Sequence, residues 1–254
     1  MSATTARPVM LITGAARGIG AAIARAAASR YDLVVNHVSP RSPGDHVDAL
    51  VDECTAQGAT VLVHRADVAD EQAVIAMYEA IDEHLGRLDV LVNNAGIAGG
   101  YGTLDTVTAP MLAALWAVNV TGAFVCAREA AARMSTLRGG HGGSIVNISS
   151  RAAVLGGTGE WVHYAASKGA IDTMTVGLSK ELAAAGIRVN GVRPGLVESD
   201  FHAYAPPGRL ERLAPTVPMG RAGTADEVAG AVLWLASAEA TFVTGAFIDV
   251  GGGR

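Results

Sequence analysis

The chain has 254 residues, of which 50% are hydrophobic and 17% are charged, and its formal net charge is −5. An acidic chain without a basic block is poorly suited to bind nucleic acid or an anionic membrane surface, so we expect neither partner. The sequence contains no linker or repeat that would divide a chain of this length, and residues 1–254 are therefore predicted to form a single domain with a large core.

Short aliphatic runs alternate with longer helical patterns along the chain. The predicted strands are 9–12, 33–35, 60–63, 90–92, 144–148, 189–192 and 246–250, and the predicted helices are 19–29, 71–85, 109–134, 164–185 and 225–235. Strands that alternate with helices favour a parallel sheet, and continuous aliphatic strands indicate that both of its faces are buried. Because such crossovers are right-handed, the sequence predicts an α/β fold with a doubly wound sheet and helices on both faces.

A glycine-rich turn follows the first predicted strand and opens the first predicted helix. The turn contains Gly14, Gly18 and Gly20, and glycine lets the backbone approach a ligand closely. The N–H groups at the start of the helix favour a phosphate at the same place. A turn of this kind in the first strand–helix unit predicts a dinucleotide-binding site.

The end of the second predicted strand bears on which dinucleotide binds. A site that prefers NAD usually has an acid there, which bonds the ribose and repels a 2′-phosphate. In this chain His37 takes that position, Arg17 lies in the glycine-rich turn and Arg41 follows the strand, while Asp45 comes too late to replace the acid. Arginine suits phosphate binding. We therefore predict that NADP(H) is preferred, with NAD(H) as the alternative.

A tyrosine and a lysine provide a candidate acid–base pair. Tyr164 and Lys168 are four residues apart in a predicted helix, so they share one face of it. A cation near a phenol favours the phenolate and lowers the pKa of the tyrosine from roughly 10 toward the working range. Ser149 and Ser150 end the strand upstream, and Glu160 and Trp161 either line the mouth of the same pocket or simply pack against the fold.

The motifs and their order resemble the short-chain dehydrogenase/reductase family over nearly the whole chain. The resemblance implies a Rossmann-type fold and an enzyme that interconverts a small carbonyl compound and its alcohol by hydride transfer. The implied catalytic tetrad is Asn119, Ser150, Tyr164 and Lys168. Ser149 is the alternative serine, because fourteen residues separate Ser150 from Tyr164 where the family more often has thirteen.

The resemblance also implies what each residue does. Tyr164 is expected to be the general acid or base, and Ser150 to donate a hydrogen bond to the carbonyl oxygen. Lys168 is expected to lower the pKa of Tyr164 and to bind the nicotinamide ribose, and Asn119 to hold a water. No metal ligand is expected. The implied cofactor-binding residues are Gly14, Arg17, Gly18, Ile19, Gly20, His37, Asp67, Val68, Asn93, Ala95, Gly96, Tyr164, Lys168, Pro194, Gly195, Val197 and Ser199.

Residues 198–218 interrupt the alternation of strands and helices with several prolines and with Phe201, His202 and Tyr204. The segment follows a strand end beside the expected nicotinamide site, where ligands bind in open α/β sheets. We therefore predict an inserted substrate loop that closes as a mobile lid and sets specificity.

The sequence leaves the substrate open between a small carbonyl compound, a glucose-like sugar and a 3-oxoacyl thioester. A cofactor-binding sensor that has kept the fold is the alternative outside the enzyme class. Residues 1–8 are polar, the two cysteines cannot form a disulfide framework, and no apolar run approaches the ~20 residues that span a bilayer. We therefore expect a cytoplasmic protein, and the family resemblance implies a homotetramer.

Overall fold

The computed structural model describes residues 7–38, 46–199 and 205–254. Seven strands form one sheet in the order β3-β2-β1-β4-β5-β6-β7, and every neighbouring pair is parallel. The strands are β1 (Val9–Ile12), β2 (Asp32–His37), β3 (Val61–Arg65), β4 (Val90–Asn93), β5 (Gly143–Ile148), β6 (Ile187–Pro194) and β7 (Phe247–Val250). The predicted doubly wound α/β fold is confirmed.

Helices cover both faces of this sheet. They are α1 (Gly18–Ala27), α2 (His46–Ala56), α3 (Glu71–His84), α4 (Ala109–Trp116), α5 (Gly122–Met134), α6 (Ala152–Leu155), α7 (Val162–Glu181), α8 (Arg209–Leu213) and α9 (Ala225–Ala236). Alternate residues of β1 enter opposite cores, because Met10 and Ile12 pack in one hydrophobic cluster whereas Val9 and Leu11 pack in the other. Burial on both faces explains why the strands are continuously aliphatic.

Three helices were not predicted from the sequence. In α2, the fully buried Val47, Leu50 and Cys54 recur every three or four residues, which is a helical pattern that the surrounding polar residues obscured. The helices α6 and α8 have four and five residues respectively, so they are too short to show a period.

The predicted helix 109–134 is one helical run with a π-helical turn, Ala117–Thr121, between α4 and α5. This run is long and apolar enough to cross a membrane, so the expectation that no segment reaches that length is wrong. Length and composition are weak grounds for a membrane helix, because core helices pass the same test. In this fold Cys126, Ala130 and Met134 of α5 are fully buried in the core cluster that also receives α3.

Candidate active site

A cavity of about 500 Å³ opens at the carboxyl ends of the strands. The strand order reverses between β1 and β4, so their following loops diverge and leave a crevice where ligands bind in this architecture. Most of the residues that the sequence suggested line it. They are Gly14, Arg17, Gly18, Ile19, His37, Asp67, Val68, Ala95, Gly96, Ser150, Tyr164, Lys168, Pro194, Gly195, Val197 and Ser199.

The glycine-rich turn passes close to the end of β4. Gly14 has a φ of +64°, and a Cβ there would lie 3.0 Å from the Cα of Ala95. Gly18 also has a positive φ, +54°, but a Cβ there would meet only Ser199, at 3.9 Å. The turn therefore combines tight packing at Gly14 with open space at Gly18, and the cavity reaches the start of α1 at this point.

Two residues that the sequence suggested as cofactor contacts lie away from the cavity lining, and their contacts with a cofactor stay predictions. Neither Gly20 nor Asn93 is among the cavity-lining residues. A Cβ on Gly20 would lie 2.6 Å from the carbonyl oxygen of Gly14, so this glycine permits packing inside the turn. Asn93 is buried and donates to the side-chain oxygen of Asn147 at 3.0 Å. Its neighbour Asn94 lines the cavity instead and donates to the carbonyl oxygen of Gly14 at 3.1 Å.

The end of β2 offers a buried imidazole to the cavity. His37 is 2% exposed, and neither ring nitrogen has a hydrogen-bond partner among the described residues. The adjacent Asn36 accepts a bond from the N–H of Gly14 at 3.2 Å and donates to the carbonyl oxygen of Ala66 at 2.9 Å. A buried polar ring without a partner fits a polar ligand group at this position, since such groups are normally hydrogen-bonded.

The phenol of Tyr164 lies in the cavity and forms a hydrogen bond with the side chain of Ser150. Burial raises the pKa of Tyr164 to about 12, and the bond to Ser150 partly opposes this rise. The hydroxyl of Ser149 instead donates to the carbonyl oxygen of Lys168 at 3.2 Å. Of the two candidate serines, Ser150 is therefore the one whose hydroxyl contacts the phenol.

Lys168 is only 4% exposed and donates from Nζ to the carbonyl oxygen of Ile148 at 2.7 Å. Burial lowers the pKa of this lysine to about 8, while the carboxylate of Asp172 raises it. The Nζ atom lies 5.8 Å from the centroid of the Tyr164 ring. We expected Lys168 to lower the pKa of Tyr164, but the structure shows a raised value because desolvation of the buried phenol dominates.

Asn119 lies in the π-helical turn and is 2% exposed. Its side-chain oxygen accepts from the N–H of Ile97 at 2.8 Å, and its amide donates to the hydroxyl of Ser167 at 3.0 Å. It does not line the cavity, although a Cβ on Gly96 would lie 3.4 Å from its oxygen and 3.5 Å from Nζ of Lys168. Asn119 thus joins the loop after β4 to α7, the helix that carries Tyr164 and Lys168.

An aromatic and charged wall continues the cavity beyond Tyr164. The ring centroid of Trp161 lies 6.5 Å from that of Tyr164 and 5.5 Å from that of Tyr101. Glu160 and Arg209 form an ion pair in the same wall. The sequence indicated Glu160 and Trp161 as candidates, but it did not indicate Arg209, which is 49 residues from its partner.

The predicted substrate loop 198–218 falls only partly within the described residues. Ser199 lines the cavity, and α8 follows with Leu210 packed against a small cluster of Leu196, Val217 and Ala222. The predicted closure as a lid stays a prediction. The residues Phe201, His202, Tyr204, Arg41 and Asp45 lie outside the described part of the chain.

Comparisons with known proteins find relatives and solved structures that match nearly the whole chain. A family model described as enoyl-(acyl carrier protein) reductase matches residues 14–254. The uncharacterized oxidoreductase YgfF of Escherichia coli (strain K12) is 48% identical over 97% of this chain and 99% of its own length. The 3-oxoacyl-[acyl-carrier-protein] reductase FabG of Staphylococcus aureus (strain Mu50 / ATCC 700699) is 35% identical over 96% of each chain. A crystal structure of a short-chain type dehydrogenase/reductase from Mycobacterium marinum has a TM-score of 0.89 at 31% identity, covering 97% of this chain and 94% of that one.

Proposed function

The chain belongs to the short-chain dehydrogenase/reductase family and is an oxidoreductase, and we propose that it interconverts a small carbonyl compound and its alcohol with NADP(H) as the preferred cofactor. One observation carries the proposal. The half-buried Tyr164 is bonded through its phenol to Ser150 and lies one helical turn from the buried Lys168, in a cavity that also contains the glycine-rich turn.

The residues present fit a nicotinamide dinucleotide. The backbone around Gly18 would hold the phosphates, and Lys168, which lines the cavity beside Gly96, would hold the nicotinamide ribose. Asp67, at the cavity wall, would contact the adenine ring. When bound, the nicotinamide supplies the hydride for reduction or accepts it in oxidation.

Tyr164 and Ser150 would act on the carbonyl oxygen. Because the pKa of Tyr164 is about 12, the phenol is protonated at neutral pH and can donate its proton to an oxygen that gains negative charge. Ser150 would donate a second hydrogen bond to the same oxygen, as a donor fixed in place before the reaction. Lys168, with a pKa of about 8, carries a positive charge at pH 7 and favours that negative charge nearby.

The preference for NADP(H) is supported by the end of β2. His37 takes the place at which NAD-specific sites usually carry an acid, and Arg17 lines the cavity within the glycine-rich turn. A 2′-phosphate would find a cation and a buried imidazole there, and no carboxylate on the last residue of β2 to repel it.

The experiment that tests the proposal is a screen of the purified protein with NADPH and NADH against neutral ketones, aldehydes and secondary alcohols. We expect reduced-nicotinamide absorbance to fall with at least one carbonyl compound and to stay constant in Tyr164→Phe. A protein that binds NADPH but turns over nothing in either direction would instead be the cofactor-binding sensor.

A 3-oxoacyl-thioester reductase is the second candidate, because the FabG relative bears that activity in its name. An acidic carrier protein would favour a basic mouth, yet Arg151 is paired with Asp249 and Arg209 with Glu160. We therefore rank this candidate below a small carbonyl compound, and a sugar dehydrogenase stays a further alternative. Acetoacetyl-CoA and glucose belong in the same screen, and turnover of either above all ketones would reverse the ranking.

A homotetramer is part of the proposal. Trp116 and Phe124, on the helical run 109–134, are 40% and 46% exposed. Large apolar side chains exposed on one helical run favour a subunit contact. Light scattering after size exclusion tests the assembly, and Phe124→Glu should shift the mass toward smaller species.

A further inference from the structure

One ion pair of the cavity wall is used by neither the cofactor site nor the proton-donating residues. Arg209, the first residue of α8, is 8% exposed, and its Nε lies 3.1 Å from Oε1 of Glu160. Its guanidinium carbon lies 4.4 Å from the centroid of the Trp161 ring. The pair therefore lies next to an aromatic ring whose centroid is 6.5 Å from that of Tyr164.

The position of the pair gives it access to substrate. Glu160, Trp161, Arg209 and Tyr164 all line the same cavity. The ring of Trp161 lies 6.5 Å from that of Tyr164, so a carbonyl compound whose oxygen is bonded to Tyr164 and Ser150 would place a substituent beside Trp161. A charged group on that substituent would come to lie close to Glu160 and Arg209.

Glu160 is the carboxylate of this wall, and it balances the charge of Arg209. Glu160 bonds Arg209 through both of its oxygens and also lies 3.7 Å from the more exposed Arg212. It therefore offsets the cation that stacks on Trp161. An anionic substituent would lose its hydration shell beside the carboxylate of Glu160, whose partner Arg209 is already bonded. Two negative charges at close range oppose binding.

We propose that Glu160 is a specificity-determining residue which, by balancing Arg209, restricts the cavity to carbonyl substrates without a negative charge near the reacting carbon. The inference rests on the proposed carbonyl chemistry of the same cavity. It names a substrate class, neutral ketones and aldehydes, and the residue that excludes the corresponding oxo acids.

The test compares ethyl acetoacetate with acetoacetate, which share the reacting ketone and differ in charge. In the wild type we expect kcat/KM with NADPH to favour the ester by about tenfold or more, the scale of a single unfavourable charge contact. Glu160→Gln keeps the shape and removes the charge, so the ratio of ester to acid should fall by about tenfold. Arg209→Gln removes the cation instead, and its ratio should not fall.

Asp82→Asn is the matched control, because Asp82 pairs with Arg133 and neither residue lines the cavity. Its ratio should equal that of the wild type. Thermal unfolding of each variant identifies any loss of fold. If Glu160→Gln does not fold, Glu160→Asp is measured as well. This variant keeps the charge, so its ratio of ester to acid should match that of the wild type.

A direct binding measurement separates this inference from the proposed function. Dissociation constants of both compounds are measured by ligand-observed NMR on the protein without cofactor. If neither compound is reduced, tighter binding of acetoacetate by Glu160→Gln still supports the selectivity, while the proposed activity fails for these compounds. A wild type that prefers acetoacetate, or an unchanged ratio and unchanged binding in Glu160→Gln, would overturn the inference.

Discussion

The Nζ atom of Lys168 donates a hydrogen bond of 2.7 Å to the carbonyl oxygen of Ile148, the last residue of β5. This bond joins α7 to the strand that leads directly into Ser149 and Ser150. It fixes the position of the Tyr164 helix against the serine turn, so the phenol and the Ser150 hydroxyl meet. The buried lysine thus has a structural role in addition to its proposed role toward the cofactor.

The first prediction concerns the phenol. Tyr164→Phe should lower turnover by about 10²–10⁴-fold, because a positioned proton donor contributes on that scale. Binding of NADPH, measured by fluorescence titration, should change little, since the ring and Lys168 remain. Tyr31→Phe is the matched control, because Tyr31 is also buried but does not line the cavity. Turnover of Tyr164→Phe within a few-fold of the wild type would contradict the assigned role.

The second prediction separates the two serines. Ser150→Ala removes the hydrogen bond that lowers the pKa of Tyr164, so that pKa should rise further. It also removes a donor to the carbonyl oxygen, and turnover should fall by about 10²–10³-fold, as for the loss of one oxyanion donor. Ser149→Ala removes a bond to the α7 backbone and should cost much less. Steady-state kinetics of both variants distinguish the two serines. A larger loss of turnover in Ser149→Ala than in Ser150→Ala would assign the hydrogen bond to the carbonyl oxygen to Ser149.

The fold and much of this site follow from local sequence patterns. Continuous aliphatic strands predict a sheet buried on both faces, and the spacing of Tyr164 and Lys168 places both on one helical face. The contacts of Arg209 with Glu160 were not predictable, because they join segments that only the tertiary fold brings together. The raised pKa of Tyr164 was not predictable from the sequence either. It comes from desolvation on burial, which the spacing of residues does not reveal.

Asn93, the last residue of β4, and the following Asn94 show another limit of prediction from the sequence. Side chains of a strand alternate between its two faces, so neighbouring residues lie in different surroundings. Asn93 turns into the core and bonds Asn147, whereas Asn94 holds the glycine-rich turn through Gly14. The sequence pointed to Asn93 for the cofactor site, whereas Asn94 is the one of the two that lines the cavity.

The third prediction concerns pH. Burial lowers the pKa of Lys168 to about 8, and the carboxylate of Asp172 opposes this effect. Asp172→Asn removes the opposition, so the pKa of Lys168 should fall further and the lysine should lose its proton at a lower pH. If reduction needs the lysine cation, the alkaline decline of kcat/KM begins at a lower pH in this variant.

Other charges near Lys168 must be considered in that experiment. Nη2 of Arg193 lies 3.0 Å from Asp172, and its Nη1 lies 3.6 Å from Asp249. Asp172→Asn therefore leaves Asp249 as the acidic partner of Arg193. Part of the fall in the pKa of Lys168 then comes from the charge of the arginine. Asp249→Asn is the control, because it removes a charged partner from Arg193, and also from Arg151, and leaves Asp172 in place. An alkaline limb that moves equally in both variants, or in neither, would contradict the role of Asp172.

The last prediction concerns cofactor choice. The buried ring nitrogens of His37 have no partner among the described residues, and Arg17 lines the cavity at the start of α1. We expect the wild type to bind NADPH more tightly than NADH, and Arg17→Ala to narrow the difference by about 1–3 kcal/mol, the scale of a hydrogen bond to a charged group. His37→Asp places an acid at the end of β2 and should reverse the preference, since a carboxylate bonds ribose hydroxyls and repels a 2′-phosphate. Arg25→Ala serves as the control, because Arg25 lies in α1, the helix that Arg17 precedes, pairs with Glu53 and does not line the cavity. Fluorescence titration with both reduced cofactors gives the four sets of affinities. Equal affinities in the wild type would reject the preference itself, whereas an unchanged difference in Arg17→Ala together with a reversal in His37→Asp would assign the discrimination to β2 alone.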